Sequence, residues 1–434
     1  MVVIVYVFDS LRADFLGCYG CTGNMSPNLD ALARDSVVYE NAYTTATWTK
    51  PAAASIITSQ YPRSLGVMHE MSVIPDYHNT LPKTLKEHGY STYAISANIF
   101  FSPFFGFNGF DEFFVLQMDR EVMEKRQKVK DIEKARLGIR KQQGIERLVK
   151  PLSEDINQKL FPILSNRVGN KFILAWSNDT HKPYFADSPN DYFAALKSRN
   201  IAKLRSLYGD MVRYNDIRFG ELVGELRECR LYDDSLIVVA GDHGEPFGEH
   251  SVFGRPLITH GSLPYEEVIR VPLIVKYPQG KYAGMRCGTL VQLLDIYPTI
   301  LGVCGIRRDV GLEGVSLNPA ADSLARERTI FIESQRAPHH LYSAAIRKGD
   351  YKLIKIGGQS KAGRSWRAWA RVILLKFVPE FQLFDLRSDP QERRNLSKKQ
   401  KGRVGVLAAE YIKIQARLER KRDIMKARRL KMVK

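Results

Sequence analysis

Seven consecutive apolar residues, Val2 to Phe8, run without a polar break into Asp9. A run this short cannot cross a bilayer, and with both alternating faces apolar it fits a strand buried on both sides. Thr92 to Ser96, Phe172 to Trp176, Ser235 to Ala240 and Val271 to Lys276 repeat the pattern, separated by longer amphipathic stretches. The expected fold is therefore α/β, a large mostly parallel sheet sandwiched by helices. In open parallel sheets the carboxyl ends of the strands face the ligand crevice. Three runs end there in chemically capable residues: Asp9, then Ser177 to His181, then Asp242-His243.

The texture changes after about residue 320. Shorter runs at Thr329 to Ile332, Tyr351 to Ile356 and Phe381 to Leu386 suggest a small antiparallel sheet. The expected organisation is a catalytic domain over 1–320 with a basic helical insertion near 120–168, punctuated by Pro151 and Pro162. A small subdomain over 321–397 and a basic amphipathic tail over 398–434 follow. Leu407, Tyr411, Ile414, Leu418 and Met425 recur near helical spacing in that tail.

A hydrophobic content of 44% in 434 residues supplies a sizeable core and excludes disorder of the whole chain. The formal net charge is +18. Residues 120–150 carry 11 Lys/Arg against 5 Asp/Glu, and 398–434 carry 14 against 3, so the body is nearly neutral. The basic character belongs to two attachments, and no specific nucleic-acid partner is expected. The tail is expected either to cover the small sheet or to lie peripherally on an anionic membrane. Five scattered cysteines argue against a disulfide framework; Cys18 and Cys21 have the gap of a metal pair, but no second pair completes a zinc site. The N-terminus reads as a strand rather than a leader, which gives a cytoplasmic expectation. His69, His78 and His88 are expected at the surface, and His250 is expected to orient a loop.

A lone aspartate at a strand end more often caps a helix than holds a metal. Asp242-His243, flanked by Gly241 and Gly244, is a more compact pair of ligand types. In Thr47-Trp48-Thr49-Lys50-Pro51-Ala52-Ala53-Ala54, Thr49 reads as the N-cap of a helix with Pro51 in its first turn. The same geometry offers free N–H groups and a positive dipole end to a tetrahedral anion.

Taken in order, several blocks resemble the sulfatase family of the alkaline phosphatase superfamily. The opening blocks are Asp9-Ser10-Leu11-Arg12-Ala13-Asp14, Cys18-Tyr19-Gly20, Pro27-Asn28-Leu29-Asp30 and Tyr61-Pro62. Asp242-His243-Gly244-Glu245, Gly248-Glu249-His250, Tyr265 through Pro272, Asp295 to Thr299 and Leu383 to Pro390 resemble the later ones. The resemblance implies an alkaline phosphatase-like fold, metal ligands Asp9, Asp242 and His243, and a metal-bound nucleophile at Thr49. It places His181 and His260 against the transferred or leaving group. Lys50 and Asn98 fall at substrate-facing positions, an ordinary loop amide being the alternative for Asn98.

The departures from sulfatases are chemical. Thr49 and Ala53 stand where the family carries a formylglycine precursor and its arginine. Oxidising a threonine side chain gives a methyl ketone, which hydrates poorly, so the formylglycine route is closed. Ser10 replaces a second aspartate, and His243 replaces an amide. Fewer carboxylates and an added imidazole favour zinc or manganese over calcium, with a second metal toward His181 and His260 a further option. The expected function is cleavage or transfer of phosphate mono- or diesters through a covalent Thr49 intermediate. The substrate would be a small-molecule or lipid-headgroup ester. The alternatives are a sulfuric ester hydrolase acting without formylglycine, and an inactive member serving as a binding module.

Overall fold

The computed structural model describes residues 1–119, 124, 150–184, 189–252, 254–307, 311–319, 328–335, 341–359 and 380–432. Most of the expected insertion, residues 120–123 and 125–149, lies outside them.

The main sheet has eight strands: β1 (Val2–Phe8), β2 (Val37–Tyr43), β3 (Tyr90–Ser96), β4 (Glu112–Val115), β5 (Asn170–Ser177), β6 (Leu236–Gly241), β7 (Leu273–Lys276) and β8 (Arg286–Gln292). Their order is β8-β2-β7-β6-β1-β5-β3-β4. Only β7 runs against the others, pairing antiparallel with β2 and β6. The central strand β1 shows why its apolar run is continuous. Val3, Val5 and Val7 face one layer, whereas Val2, Ile4, Tyr6 and Phe8 face the other. Burying each such side chain stabilises the fold by roughly 1.5–3 kcal/mol.

The first layer holds α2 (Thr49–Thr58), whose Ala53, Ala54, Ile56 and Ile57 pack on the sheet. The second holds α1 (Pro27–Arg34), α4 (Ser153–Ser165) and the long α5 (Ile201–Glu228), with Leu204, Phe219, Leu222 and Leu226 inward. Pro162 does not end α4 but sits in its last turn.

A separate antiparallel sheet is formed by β9 (Thr329–Gln335), β10 (Leu341–Lys348), β11 (Tyr351–Gln359) and β12 (Phe381–Asp385). The tail forms α6 (Lys401–Met432), which lies against this sheet and the short α3 (Pro62–Leu65). Leu407, Tyr411 and Leu418 are buried with Phe331, Tyr342, Leu353 and Leu383. No helix among the described residues is long and apolar enough to cross a membrane.

Candidate active site

Asp9 emerges at the carboxyl end of β1, its N–H held by the Ser177 carbonyl at 3.0 Å and its carbonyl by the Thr180 hydroxyl at 2.6 Å. Ser10 turns through a left-handed φ of 61°, uncommon for a residue with a Cβ. That turn aims the Ser10 N–H at Asp242 Oδ1, 2.8 Å away. Asp242 and His243 follow β6 directly, and the chain just after them is tight: a Cβ on Gly244 would lie 2.0 Å from the Glu267 carbonyl oxygen. Only glycine permits that approach.

Thr49 meets this corner from the start of α2. The structure corrects its expected place by one residue: Trp48, in extended conformation, is the N-cap, and Thr49 is the first helical residue. The hydroxyl does not cap its own helix because it is turned outward. It lies 3.4 Å from both Asp9 Oδ2 and His243 Nε2. His243 Nδ1 is 2.9 Å from the Gly244 carbonyl, so the ring proton sits there and Nε2 presents its lone pair inward. That nitrogen is 3.3 Å from Asp242 Oδ2 and 3.9 Å from Asp9 Oδ1.

These groups fit a divalent cation. Asp9, Asp242 and His243 each offer a donor atom within 4.8 Å of the others, and all three are buried. Asp242 Oδ2 is buried and accepts no hydrogen bond. In a tetrahedral site with ligand distances near 2.0 Å the donors sit about 3.3 Å apart, close to the separations seen here. Burial and the Asp9 charge push the Asp242 carboxyl well above its ordinary range. Burial also raises Asp9, yet His181, His243, the Trp176 N–H and His260 together bring it below the ordinary range. Two carboxylates crowded out of water in this way call for a cation.

His181 and His260 converge on the same place. The His260 ring is 4.3 Å from that of His243 and 5.2 Å from that of His181, centroid to centroid. His260 Nδ1 is 2.7 Å from Glu245 Oε2, a buried carboxylate that holds the ring in place. His181 Nδ1 faces the Lys182 carbonyl at 2.7 Å, and burial lowers its pKa to about 4. Among the described residues these two histidines form no three-ligand cluster for a second metal. The other such cluster, His250 with Glu267 and Glu392, already has the Lys352 ammonium 2.7 Å from Glu392. There His250 stacks on Tyr265 at 3.7 Å and bonds Glu267, which suits its expected loop role.

Lys50 and Asn98 are placed differently from their substrate-facing expectation. Lys50 Nζ donates to the Glu70 carbonyl and to that of Ser72 at 2.8 Å, over the Phe105 ring, and burial lowers its pKa to about 8. Asn98 Nδ2 donates to Asp9 Oδ2 at 2.6 Å, so the amide orients a ligand carboxylate. His78 is a correction: it is 1% exposed, not at the surface, with Gln60 3.4 Å from its Nδ1. Polar neighbours in sequence concealed its burial. His69 and His88 are exposed. The five cysteines are free, and Cys18 and Cys21 join no three-ligand cluster among the described residues.

Several supporting residues carry no sequence signal for their role. Trp176 Nε1 donates to Asp9 Oδ2 at 3.1 Å. Lys150 Nζ gathers the carbonyls of Asn178, Asp179 and His181, fixing the loop that carries that histidine. Ser334, on β9, accepts from the Thr47 hydroxyl at 2.6 Å and donates to the Gly261 carbonyl at 2.9 Å. It ties the Thr49 segment to the His260 loop. Arg12 pairs with Asp14 and Glu249 and donates to the Glu245 carbonyl at 3.0 Å, clamping the two ligand-bearing loops together.

The sulfatase family profile matches residues 1–306, and a profile for the C-terminal region of N-sulphoglucosamine sulphohydrolase matches residues 248–368. A choline-sulfatase from Rhizobium meliloti is 25% identical over 92% of this chain and 81% of its own length. An N-acetylglucosamine-6-O-sulfatase from Bacteroides thetaiotaomicron is 21% identical over 96% of this chain and 84% of its own. The solved phosphonate monoester hydrolase of Agrobacterium radiobacter superposes with a TM-score of 0.73 at 17% identity, covering 96% of this chain and 95% of that one. With the profile spanning most of the sequence and the superposition spanning nearly all of the fold, this chain belongs to the sulfatase family and is an ester-hydrolysing enzyme.

Proposed function

We propose that the chain cleaves phosphate mono- or diesters through a covalent intermediate on Thr49. The observation that carries this reading is the Thr49 hydroxyl oxygen, 3.4 Å from both Asp9 Oδ2 and His243 Nε2 at the start of a helix. Asp9, Asp242 and His243 would hold a divalent cation, zinc or manganese by donor type, which when bound lowers the pKa of a neighbouring hydroxyl and offsets phosphoryl charge.

The chain's own groups account for the rest. Thr49 Oγ1 attacks phosphorus, its proton leaving to solvent water. The bond from phosphorus to the leaving oxygen breaks as His260 protonates that oxygen, with Glu245 steadying the imidazolium. The free N–H groups at the start of α2 lie toward the transferred anion. Water or an acceptor alcohol then attacks phosphorus, giving up its proton to His260. The P–Oγ1 bond breaks, and Thr49 takes a proton back from solvent water.

Phosphorus is favoured over sulfur because Thr49 cannot become formylglycine. The names of the sulfatase relatives support the second reading, a sulfuric ester hydrolase. Nitrophenyl phosphate, bis-phosphate and sulfate, each assayed with zinc, manganese and calcium, separate the two. Turnover of a phosphate ester is expected, with a fall of at least about 10³-fold in Thr49→Ala and unchanged metal content. Full activity in that variant would eliminate the covalent mechanism. Faster sulfate turnover would hand the site to the second reading.

A further inference from the structure

A chain of aromatic side chains runs outward from beside Thr49 and ends in solvent at Phe104. Trp48, next to Thr49, meets the Phe100 ring edge-on at 5.9 Å; Phe100 packs on Phe105, and Phe105 on Phe104. Phe104 is 70% exposed. The loop facing it carries Met71 at 77% and Val73 at 50% exposure. These loops are joined by the Ile74 N–H donating to the Phe105 carbonyl at 3.0 Å. The exposure is imposed by the fold, because the buried Lys50 ammonium grips the carbonyls of Glu70 and Ser72 on either side of Met71.

The same loop begins against the basic tail helix. Arg422 Cδ lies 3.9 Å from the position a Cβ would take on Gly66, Arg63 pairs with Glu419 at 2.7 Å, and Lys421 reaches the Gly311 carbonyl at 2.9 Å. The turns of α6 that arrive here expose Arg417, Arg420, Ile424 and Lys426. Large apolar side chains held outward beside clustered cations suit one kind of partner. A lipid interface accepts the former among acyl chains and the latter among headgroup phosphates. Nucleic acid gives no reason to expose Met71 and Val73, and an ordinary protein partner gives none for a helix end this rich in cations.

We propose that the Met71–Val73 and Phe104 loops, together with the basic end of α6, form a face that docks on an anionic lipid bilayer. Docked in this way, the chain would hold the Thr49 crevice beside the membrane plane. The docking stands on the surface alone and does not depend on the esterase reading.

The test is co-sedimentation of the full chain with vesicles of phosphatidylcholine alone, or of phosphatidylcholine and phosphatidylglycerol in equal parts. Binding to the anionic vesicles is expected to exceed binding to neutral ones by about tenfold at low salt, and to fall as salt rises. Met71→Ser with Phe104→Ser should lower it several-fold, as should Arg420→Glu with Lys426→Glu. Phe104→Ser alone serves as the milder apolar variant. Unfolding midpoints should not move, since every replaced side chain is exposed. Equal binding to both vesicle types, or to neither, overturns the proposal. So does loss confined to the charge variant together with equally strong capture on heparin, which would assign the helix to soluble polyanions.

Discussion

At the scale of single residues, the catalytic corner depends on atoms that sequence could name and on others that it could not. That Asp9, Asp242 and His243 meet was legible because each follows an apolar strand at the end where parallel sheets open their crevice. Thr49 was legible from the proline and small residues that mark a helix start. Asn98 and Trp176 were not, because their hold on Asp9 exists only once β3 and β5 lie side by side. His78 was misread for a related reason, since alternation among Asp76, Tyr77 and Asn79 says nothing about the Gln60 side chain above it. Its burial carries a pH prediction. Burial, with Lys421 and Lys83 nearby, lowers the His78 pKa from 6.5 to about 4. The unfolded chain therefore binds the proton more readily between these values. Stability is full above the unfolded pKa and falls as pH drops toward the folded one, by up to about 3 kcal/mol. Urea midpoints at neutral and mildly acid pH should show a smaller acid loss in His78→Gln than in the parent chain. An identical loss in both would remove His78 as the cause.

At the scale of elements, the runs that sequence identified in β1, β5, β6 and β7 of the main sheet are buried throughout, whereas the strands of that sheet it missed, β2, β4 and β8, are mixed. In β2, Glu40 and Asn41 interrupt the apolar run and are partly exposed. The edge strand β8 opens on an exposed Arg286 and contains Gly288. Neither shows the continuous pattern that a doubly covered strand shows, although β2 has a neighbour on each side. β7 was legible as a strand but not as the reversed one, because direction is set by the connection and not by composition. The element-scale prediction concerns β9. Ser334→Ala removes a buried hydroxyl that both donates and accepts, leaving Thr47 and the Gly261 carbonyl each short of a partner. A loss of about 1–3 kcal/mol in stability is expected. A fall of roughly tenfold in kcat with little change in KM should accompany it, as the nucleophile and the His260 loop lose their common register. Unaltered kcat would show that the two are positioned independently.

At the scale of the whole molecule, the order of layers followed from apolar periodicity, and the family blocks ran in sequence along both sheets. Nothing in those blocks fixed where the tail would lie. The structure seats Leu407, Tyr411 and Leu418 in the core beneath the second sheet, so α6 is part of the fold as well as a cationic surface. Ending the chain near residue 400 would expose that apolar seam. At roughly 1.5–3 kcal/mol for each of the three side chains, a loss on the order of 5 kcal/mol is expected. Thermal unfolding of the shortened chain should begin well below that of the full one. An unchanged midpoint would mean that the helix rests on the sheet without supporting it.

The link from Thr47 through Ser334 to Gly261 places one side chain of the smaller sheet between the Thr49 segment and the His260 loop. Drift in that sheet would thus be felt by both segments at once, so their mutual spacing could be retuned from a strand that carries neither.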